Sequence, residues 1–310
     1  MSNPTSHGKR VFIQEVSPRD GFQMEARFIP TEKKIAFIDA ISETGVAKIE
    51  VTSFTSARAI PALADAEAVM TGIRREPGVV YTVLVPNVRG AERAFRVKPD
   101  EINLVTSTTE SHSQANLRMS RAESQLALGS VLALAHDARI PATISLSCSF
   151  GCPFEGDVPT DTVLEIAARF VDAGVAGVNL CDTTGMAFPA QVEAMTRAFR
   201  AHWPDTQLTL HFHDTRAMGL ANVMAALEAG GDRFDASLGG LGGCPYAPGA
   251  SGNVCTEDVV HMLELCGCST GTDLDELIEI SRRLSEIVGH ETASQVAKAG
   301  TRLARVRPAD

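Results

Sequence analysis

Two histidines stand two residues apart in LTLHFHDT (residues 208–215), inside an otherwise apolar, alternating run. Side chains of a strand alternate between faces, so His211 and His213 point the same way. Two imidazoles aimed at one spot can hold a cation, or they can be hydrogen-bonded residues of a strand end. A metal site needs further ligands. Asp20, in SPRDG, offers a carboxylate, and Asn253 offers an amide oxygen. Such a set leaves room for waters or substrate in an octahedral site suited to Mg²⁺ or Mn²⁺, the imidazoles softening it toward Mn, Co or Zn. The chain has no HExxH motif and no cysteine set with zinc-ribbon spacing, which argues against a zincin or a structural zinc.

Other polar residues stand where they are costly unless used. Arg19 precedes Asp20 directly and is either half of a buried ion pair or a catalytic cation. Glu50, in KIEVTSF, is an acid on an apolar strand and must have a cationic or hydrogen-bonding neighbour. It would orient Arg19 or a ligand histidine. Asp182, in NLCDTTG, is an acid–base residue or a helix cap. Residues 239–253, GGLGGCPYAPGASGN, hold six glycines and two prolines around Cys244. Backbone of this kind bends tightly, approaches ligands closely and can act as a lid. Cys244 itself is a nucleophile, a substrate contact or a packed small residue.

Something must bring these residues together. Eight strand-like runs cover residues 11–17, 48–54, 79–86, 101–108, 141–149, 177–183, 208–214 and 233–240, with helical patterns between them. TEKKIAFIDAISETG is expected to start on a threonine cap and stop at Gly45; DTVLEIAARFVDAG is expected to be capped by Thr160 or Asp161 and to stop at Gly174. Eight strand–helix units spaced by roughly 30 residues predict an α/β fold, a (β/α)₈ TIM barrel. A doubly wound sheet is the alternative, but no GxGxxG follows the first strand. Residues 271–289 predict an additional C-terminal helix. The expected organisation is a polar N-terminal tail (1–10), one catalytic barrel domain (11–290) and a C-terminal tail (291–310). In such barrels chemistry gathers at the C-terminal strand ends. Arg19, Asp20, Glu50, Asp182, His211 and His213 all fall there.

The 310-residue chain is 44% hydrophobic and 21% charged, which suits a globular protein with a large core. Its net charge of −10 argues against general nucleic-acid or anionic-membrane binding, while a local pocket can still take a small anion. The N-terminal MSNPTSHGKR has no apolar leader pattern, and no apolar run reaches the ~18 residues of a membrane helix. Seven scattered cysteines fit reduced thiols better than a disulfide scaffold. A cytoplasmic location is expected.

EVSPRDGFQME, IEVTSF, SCSFGCPFEG, LCDTTG, HFHDT and GGLGGCPYAPGASGN occur in this order. Together they resemble the 3-hydroxy-3-methylglutaryl-CoA lyase family, within a wider superfamily of metal-dependent lyases and Claisen-type synthases. The likeness runs from about residue 11 to 290, and the glycine-rich segment is its most specific part. It implies a retro-Claisen cleavage of an acyl-CoA to acetyl-CoA and acetoacetate, or the matching 3-oxo acid. It also implies divalent-metal ligation by Asp20, His211, His213 and Asn253, with Mg²⁺ or Mn²⁺ as cofactor. Arg19 would stabilise the enolate oxygen, Glu50 and Asp182 would support catalysis, and Gln23 would lie near the substrate. Cys244 would belong to a mobile loop, and His211 would also carry protons. The partner is a small-molecule acyl-CoA, and a homodimer or higher homo-oligomer is expected. Met24 and Ala26 stand where typical relatives carry Asn and a basic residue, which leaves the acyl chain open. A Claisen-type synthase, an aldolase on a non-thioester substrate and a non-enzymatic metal-binding protein are the competing readings.

Overall fold

The computed structural model describes residues 8–243 and 252–304. Eight parallel strands close into a barrel: β1 (Phe12–Glu15), β2 (Lys48–Ser53), β3 (Val80–Leu84), β4 (Glu101–Ser107), β5 (Ala142–Ser147), β6 (Gly177–Asp182), β7 (Gln207–Phe212) and β8 (Arg233–Ala236). Each pairs with the next, and β1 closes the ring on β8 through Phe12↔Arg233 to Glu15↔Ala236. Outside lie α1 (Thr31–Ser42), α2 (Ala66–Gly72), α3 (Val88–Arg96), α4 (Glu110–Leu117), α5 (Arg121–Ala138) and α6 (Thr160–Asp172). They continue with α7 (Pro189–His202), α8 (Gly219–Glu228) and α9 (Thr256–Leu265). The expected extra helix is α10 (Leu274–Val288), and a short α11 (Gln295–Ala299) follows. Among the described residues, no helix is long and apolar enough to cross a membrane.

Period-two alternation separates two different interiors. Ile49, Val51, Tyr81, Val83, Ile102, Leu104, Ile144, Leu146, Val178 and Leu180 belong to the apolar core between strands and helices. The alternate positions face the barrel axis, and they are polar. Gln14, Lys48, Glu50, Thr82, Glu101, Asn103, Thr143, Asn179 and Asp235 surround a void of about 10 Å³. Barrel interiors are ordinarily filled by layers of branched apolar side chains. Here hydrogen bonds fill that role: Lys48 pairs with Glu101 at 2.5 Å, and Gln14 Nε2 donates to Thr209 Oγ1 at 3.2 Å.

The glycine stops behave as expected, with Gly45 at φ +82° and Gly174 at φ +87° just beyond α1 and α6. A Cβ on Gly45 would lie 2.4 Å from the Gly271 carbonyl oxygen, so both conformation and space call for glycine there. The caps differ from expectation. Pro30 and Pro159 occupy the cap positions of α1 and α6, and no side chain caps either helix. Proline has no side-chain acceptor to offer, and the threonines fall one residue inside, where Thr31 Oγ1 donates to Asp65 instead (2.7 Å).

Both ends of the described chain are tied to the barrel. Lys9 Nζ donates to the Leu227 and Gly231 carbonyls at 3.1 and 2.9 Å, close to the C-terminus of α8. Asp258 on α9 accepts from the Val296 amide at 2.8 Å and from the Ser294 hydroxyl at 3.1 Å, docking α11.

Glu257, fully buried at the start of α9, accepts from the Ser281 hydroxyl of α10 and from the Gly239 amide at 3.2 Å. Burial pushes its carboxyl up to about 7. The folded state therefore binds this proton more tightly than the unfolded chain, and its contribution to stability falls as pH rises between about 4.5 and 7. Above that window the penalty is on the order of 3 kcal/mol. Glu257→Gln stays neutral at every pH. Its melting temperature should match wild type near pH 5 and exceed it at pH 8; parallel melting-temperature curves from pH 5 to 8 would count against this.

Candidate active site

The site is built on the C-terminal ends of the strands. After β1 the chain makes a tight five-residue helical turn, Ser17–Gly21, with Pro18 in its first turn. The amides of Arg19, Asp20 and Gly21 all point at the Val16 carbonyl, at 3.1, 2.7 and 3.4 Å. This turn swings Arg19 and Asp20 over the barrel mouth. Glu15, buried below, fixes it by accepting from the Ser17 amide (2.9 Å), the Leu238 amide (3.0 Å) and the Thr256 hydroxyl (2.6 Å).

Arg19 forms a two-sided fork. Its Nε and Nη2 donate to Glu50 Oε2 at 2.6 and 2.5 Å, and its Nη1 donates to Asp20 Oδ1 at 2.5 Å. Burial works against the charged guanidinium, but Glu50 and Asp20 outweigh it and hold the arginine protonated. Burial would likewise raise Asp20, yet Arg19 and the two imidazoles bring its carboxyl below the ordinary value. Gln23 Nε2 reaches the same Oδ1 at 3.0 Å, and Asn253 Nδ2 reaches Oδ2 at 2.7 Å.

His211 and His213 leave β7 on one face, with their Nε2 atoms 3.1 Å apart. One ligand atom each from Asp20, His211 and His213 lies within 4.8 Å of the other two, and all three residues are buried. Asp235 of β8 takes the far side of His211, with Oδ2 3.2 Å from Nδ1. Burial lowers His211, but its hydrogen bond and charge interaction with Asp235, joined by Asp20, raise it overall. Burial and the neighbouring His211 push His213 down to about 3, so its imidazole is neutral.

This cluster fits a divalent cation. The two Nε2 atoms, 3.1 Å apart, share either a proton or a cation, and a divalent ion can accept both lone pairs. The three buried carboxylates that touch Arg19 or His211 (Asp20, Glu50, Asp235) leave two negative charges after one guanidinium. Two nitrogens and a carboxylate, with an amide adjacent, form a donor set that such an ion accepts.

Asp182, at the end of β6, is close enough to His211 to feel its charge. Its Oδ1 accepts from the Met186 and Ala187 amides at 2.7 and 3.1 Å, while its buried Oδ2 has no hydrogen-bond partner among the described residues. Burial raises this carboxyl to about 6, against the pull of those two amides. The glycine-rich segment begins and ends in described backbone. Gly252, at φ +94°, runs so close to its opposite stem that a Cβ would lie 2.1 Å from the Gly240 carbonyl oxygen. Cys244 lies outside the described residues.

The structure thus gathers Arg19, Asp20, Gln23, Glu50, Asp182, His211, His213 and Asn253 at one mouth. Asn253 meets Asp20 through its amide nitrogen, which also donates to the Leu241 carbonyl at 2.9 Å. Three residues were not singled out from sequence: Asp235, Asn103 and Glu15. Asp235 in RFDAS carried the same signal as Glu50, an acid amid apolar strand residues.

Comparisons with known proteins agree with this geometry. The HMGL-like family matches residues 10–284. Hydroxymethylglutaryl-CoA lyase of Bacillus subtilis is 45% identical over 287 residues, 93% of this chain and 96% of that protein. The mitochondrial hydroxymethylglutaryl-CoA lyase of Gallus gallus is 40% identical, covering 95% of this chain and 99% of its own length. The structure of an HMG-CoA lyase from Acinetobacter baumannii, in complex with coenzyme A and 3-methylmalate, matches at a TM-score of 0.93 and 44% identity over 100% of both chains. The carboxyl transferase domain of Rhizobium etli pyruvate carboxylase shares the fold alone, at 18% identity over 94% of this chain and 51% of that one, with a TM-score of 0.70. With residues 10–284 matched by the family and relatives 40–45% identical over nearly the whole chain, the chain belongs to the HMGL-like family, beside the hydroxymethylglutaryl-CoA lyases.

Proposed function

We propose that this enzyme is a carbon–carbon lyase that cleaves 3-hydroxy-3-methylglutaryl-CoA to acetyl-CoA and acetoacetate. The observation that carries this reading is a guanidinium locked by Glu50 and Asp20 beside the Asp20–His211–His213 cluster, at the mouth of this family's barrel. Relatives that are hydroxymethylglutaryl-CoA lyases, one of them solved with coenzyme A, support the substrate class.

In the reaction the tertiary hydroxyl loses a proton, the adjacent carbon–carbon bond breaks, and a ketone forms as the thioester fragment leaves as its enolate. That enolate then takes a proton at carbon. A divalent cation, Mg²⁺ or Mn²⁺, held by Asp20, His211 and His213 with Asn253 alongside, would supply Lewis acidity toward the substrate oxygens. Arg19 faces the negative charge that grows on the thioester oxygen, an electrostatic role in which losing one donor costs ~10²–10³ in rate. Its value lies in being fixed before the reaction, and Glu50 and Asp20 do the fixing. Asp182 keeps one oxygen on two backbone amides and the other uncommitted, and its value of about 6 suits a group that takes and returns a proton near neutral pH. Asp235 binds His211 Nδ1, which fixes the ring and turns Nε2 toward the cluster. Gln23 holds Asp20 from the substrate side. The role given to Cys244 rests on resemblance to the family.

Incubation with 3-hydroxy-3-methylglutaryl-CoA and Mg²⁺ or Mn²⁺ should release acetyl-CoA, and chelation should stop it until metal is restored; no release with either ion would refute the assignment. Arg19→Gln should lower kcat by at least ~10²-fold while Mn²⁺ binding persists, and near-normal turnover would remove the enolate role. Asp235→Asn should weaken Mn²⁺ affinity by ~10–100-fold, read directly by titration calorimetry or electron paramagnetic resonance. Unchanged affinity would mean that Asp235 does not orient His211.

A further inference from the structure

Glu50 is a carboxylate with two oxygens in a buried place, and each oxygen has a different partner. Oε2 takes the Arg19 fork, whereas Oε1 accepts a hydrogen bond from Asn103 Nδ2 at 2.9 Å. Asn103 is on β4 and Glu50 on β2, with β3 between them, so this contact crosses the barrel interior and is no by-product of strand pairing. The bond continues past Asn103. Ser145 Oγ donates to Asn103 Oδ1 at 3.0 Å, and Asn179 Nδ2 donates to Ser145 Oγ at 3.1 Å. All four residues are buried.

The direction of this chain is set by chemistry. An ionised carboxylate only accepts, so the Asn103 face toward Glu50 must be its NH₂, and its carbonyl must look toward Ser145. The Ser145 hydroxyl has one proton, which goes to Asn103, leaving its lone pairs for the Asn179 amide. No link can be reversed without leaving a donor against a donor or an acceptor against an acceptor. Asn103 therefore has one orientation, Glu50 has one rotamer, and the Arg19 guanidinium meets a carboxylate plane that cannot swing. The void around them, about 10 Å³, is at the threshold of what a single water needs.

We infer that Asn103, braced by Ser145 and Asn179, is a positioning residue that acts through Glu50 to hold Arg19 in the orientation its charge-stabilising role requires. This inference rests on the reading of Arg19 given above. Among the described residues, the Asn103 side chain bonds Glu50 and Ser145 and makes no hydrogen bond to Asp20, His211 or His213, so its effect should fall on the rate of the chemical step and not on metal or substrate affinity.

The test is a double-mutant cycle on the full-length, metal-loaded enzyme, with kcat, KM and Mn²⁺ affinity measured for each variant and folding checked by thermal melting. Asn103→Ala removes the donor. Asn103→Asp keeps the volume and the acceptor for Ser145 but turns an oxygen on Glu50, and it carries the test if the alanine variant does not fold. Each should lower kcat by about 10- to 100-fold, the worth of one hydrogen bond to a charged group, with KM and Mn²⁺ affinity within about twofold. In an Arg19→Gln background the same substitutions should cost less than about threefold more, because residues acting through one group do not add. A role limited to stability would lower the melting temperature, leave kcat of the folded enzyme intact and overturn the inference. So would losses that multiply in full with Arg19→Gln, or losses that appear in KM or metal affinity. A slow Arg19→Gln enzyme with wild-type turnover in the Asn103 variants sinks only this inference, whereas a fast Arg19→Gln enzyme sinks the reading of Arg19 and this inference with it.

Discussion

Three carboxylates are buried within reach of one guanidinium, and most of the mouth is arranged to make that tolerable. Two unit charges 4 Å apart interact by about 4 kcal/mol at an effective dielectric of 20, so like charges packed this way repel strongly. Arg19 answers two of the acids directly, and Asp235 is answered by the imidazole of His211. The excess of negative charge that remains is what makes the place a natural seat for a divalent ion. Removing one partner of such a set leaves a charge stranded away from water, which is why each member constrains the others.

The polar barrel interior extends this logic downward. Glu50, Asn103, Asn179 and Asp235 come from β2, β4, β6 and β8, alternate strands that ordinarily contribute one layer of barrel packing. Here the layer is two acids and two amides. It contributes little hydrophobic driving force, so the fold relies on the apolar shell between strands and helices, where Phe199, Phe212, Phe234 and Tyr81 are fully enclosed. What the interior contributes is fixed geometry, since a hydrogen-bonded amide has a direction that a leucine lacks.

Much of this was legible in the sequence. The eight alternating runs, the glycine stops and the extra helix come from periodicity and from backbone requirements that act locally, and they lie where expected. His211 and His213 were readable because a spacing of two fixes their face. Asn253 and Arg19 were candidates by residue type, but their roles needed the family resemblance, since nothing local says that a residue after β8 returns to the end of β1. Asn103 escaped because an asparagine in EINLV looks like any polar residue on a half-exposed strand. Only closure of the ring shows that its polar face looks inward. The helix caps were misread for the opposite reason. A threonine near a helix start is a good local signal, but the proline before it had already taken the position.

The floor of the barrel has one more implication. Lys48 and Glu101 pair across it, Thr143 leans on the same carboxylate at 3.4 Å, and side chains fill the axis above them. Among the described residues, these side chains close the axis below the site. Whatever enters at the top must also depart there, so the two fragments of a split substrate have to leave by the route along which the whole arrived, one clearing the way for the other.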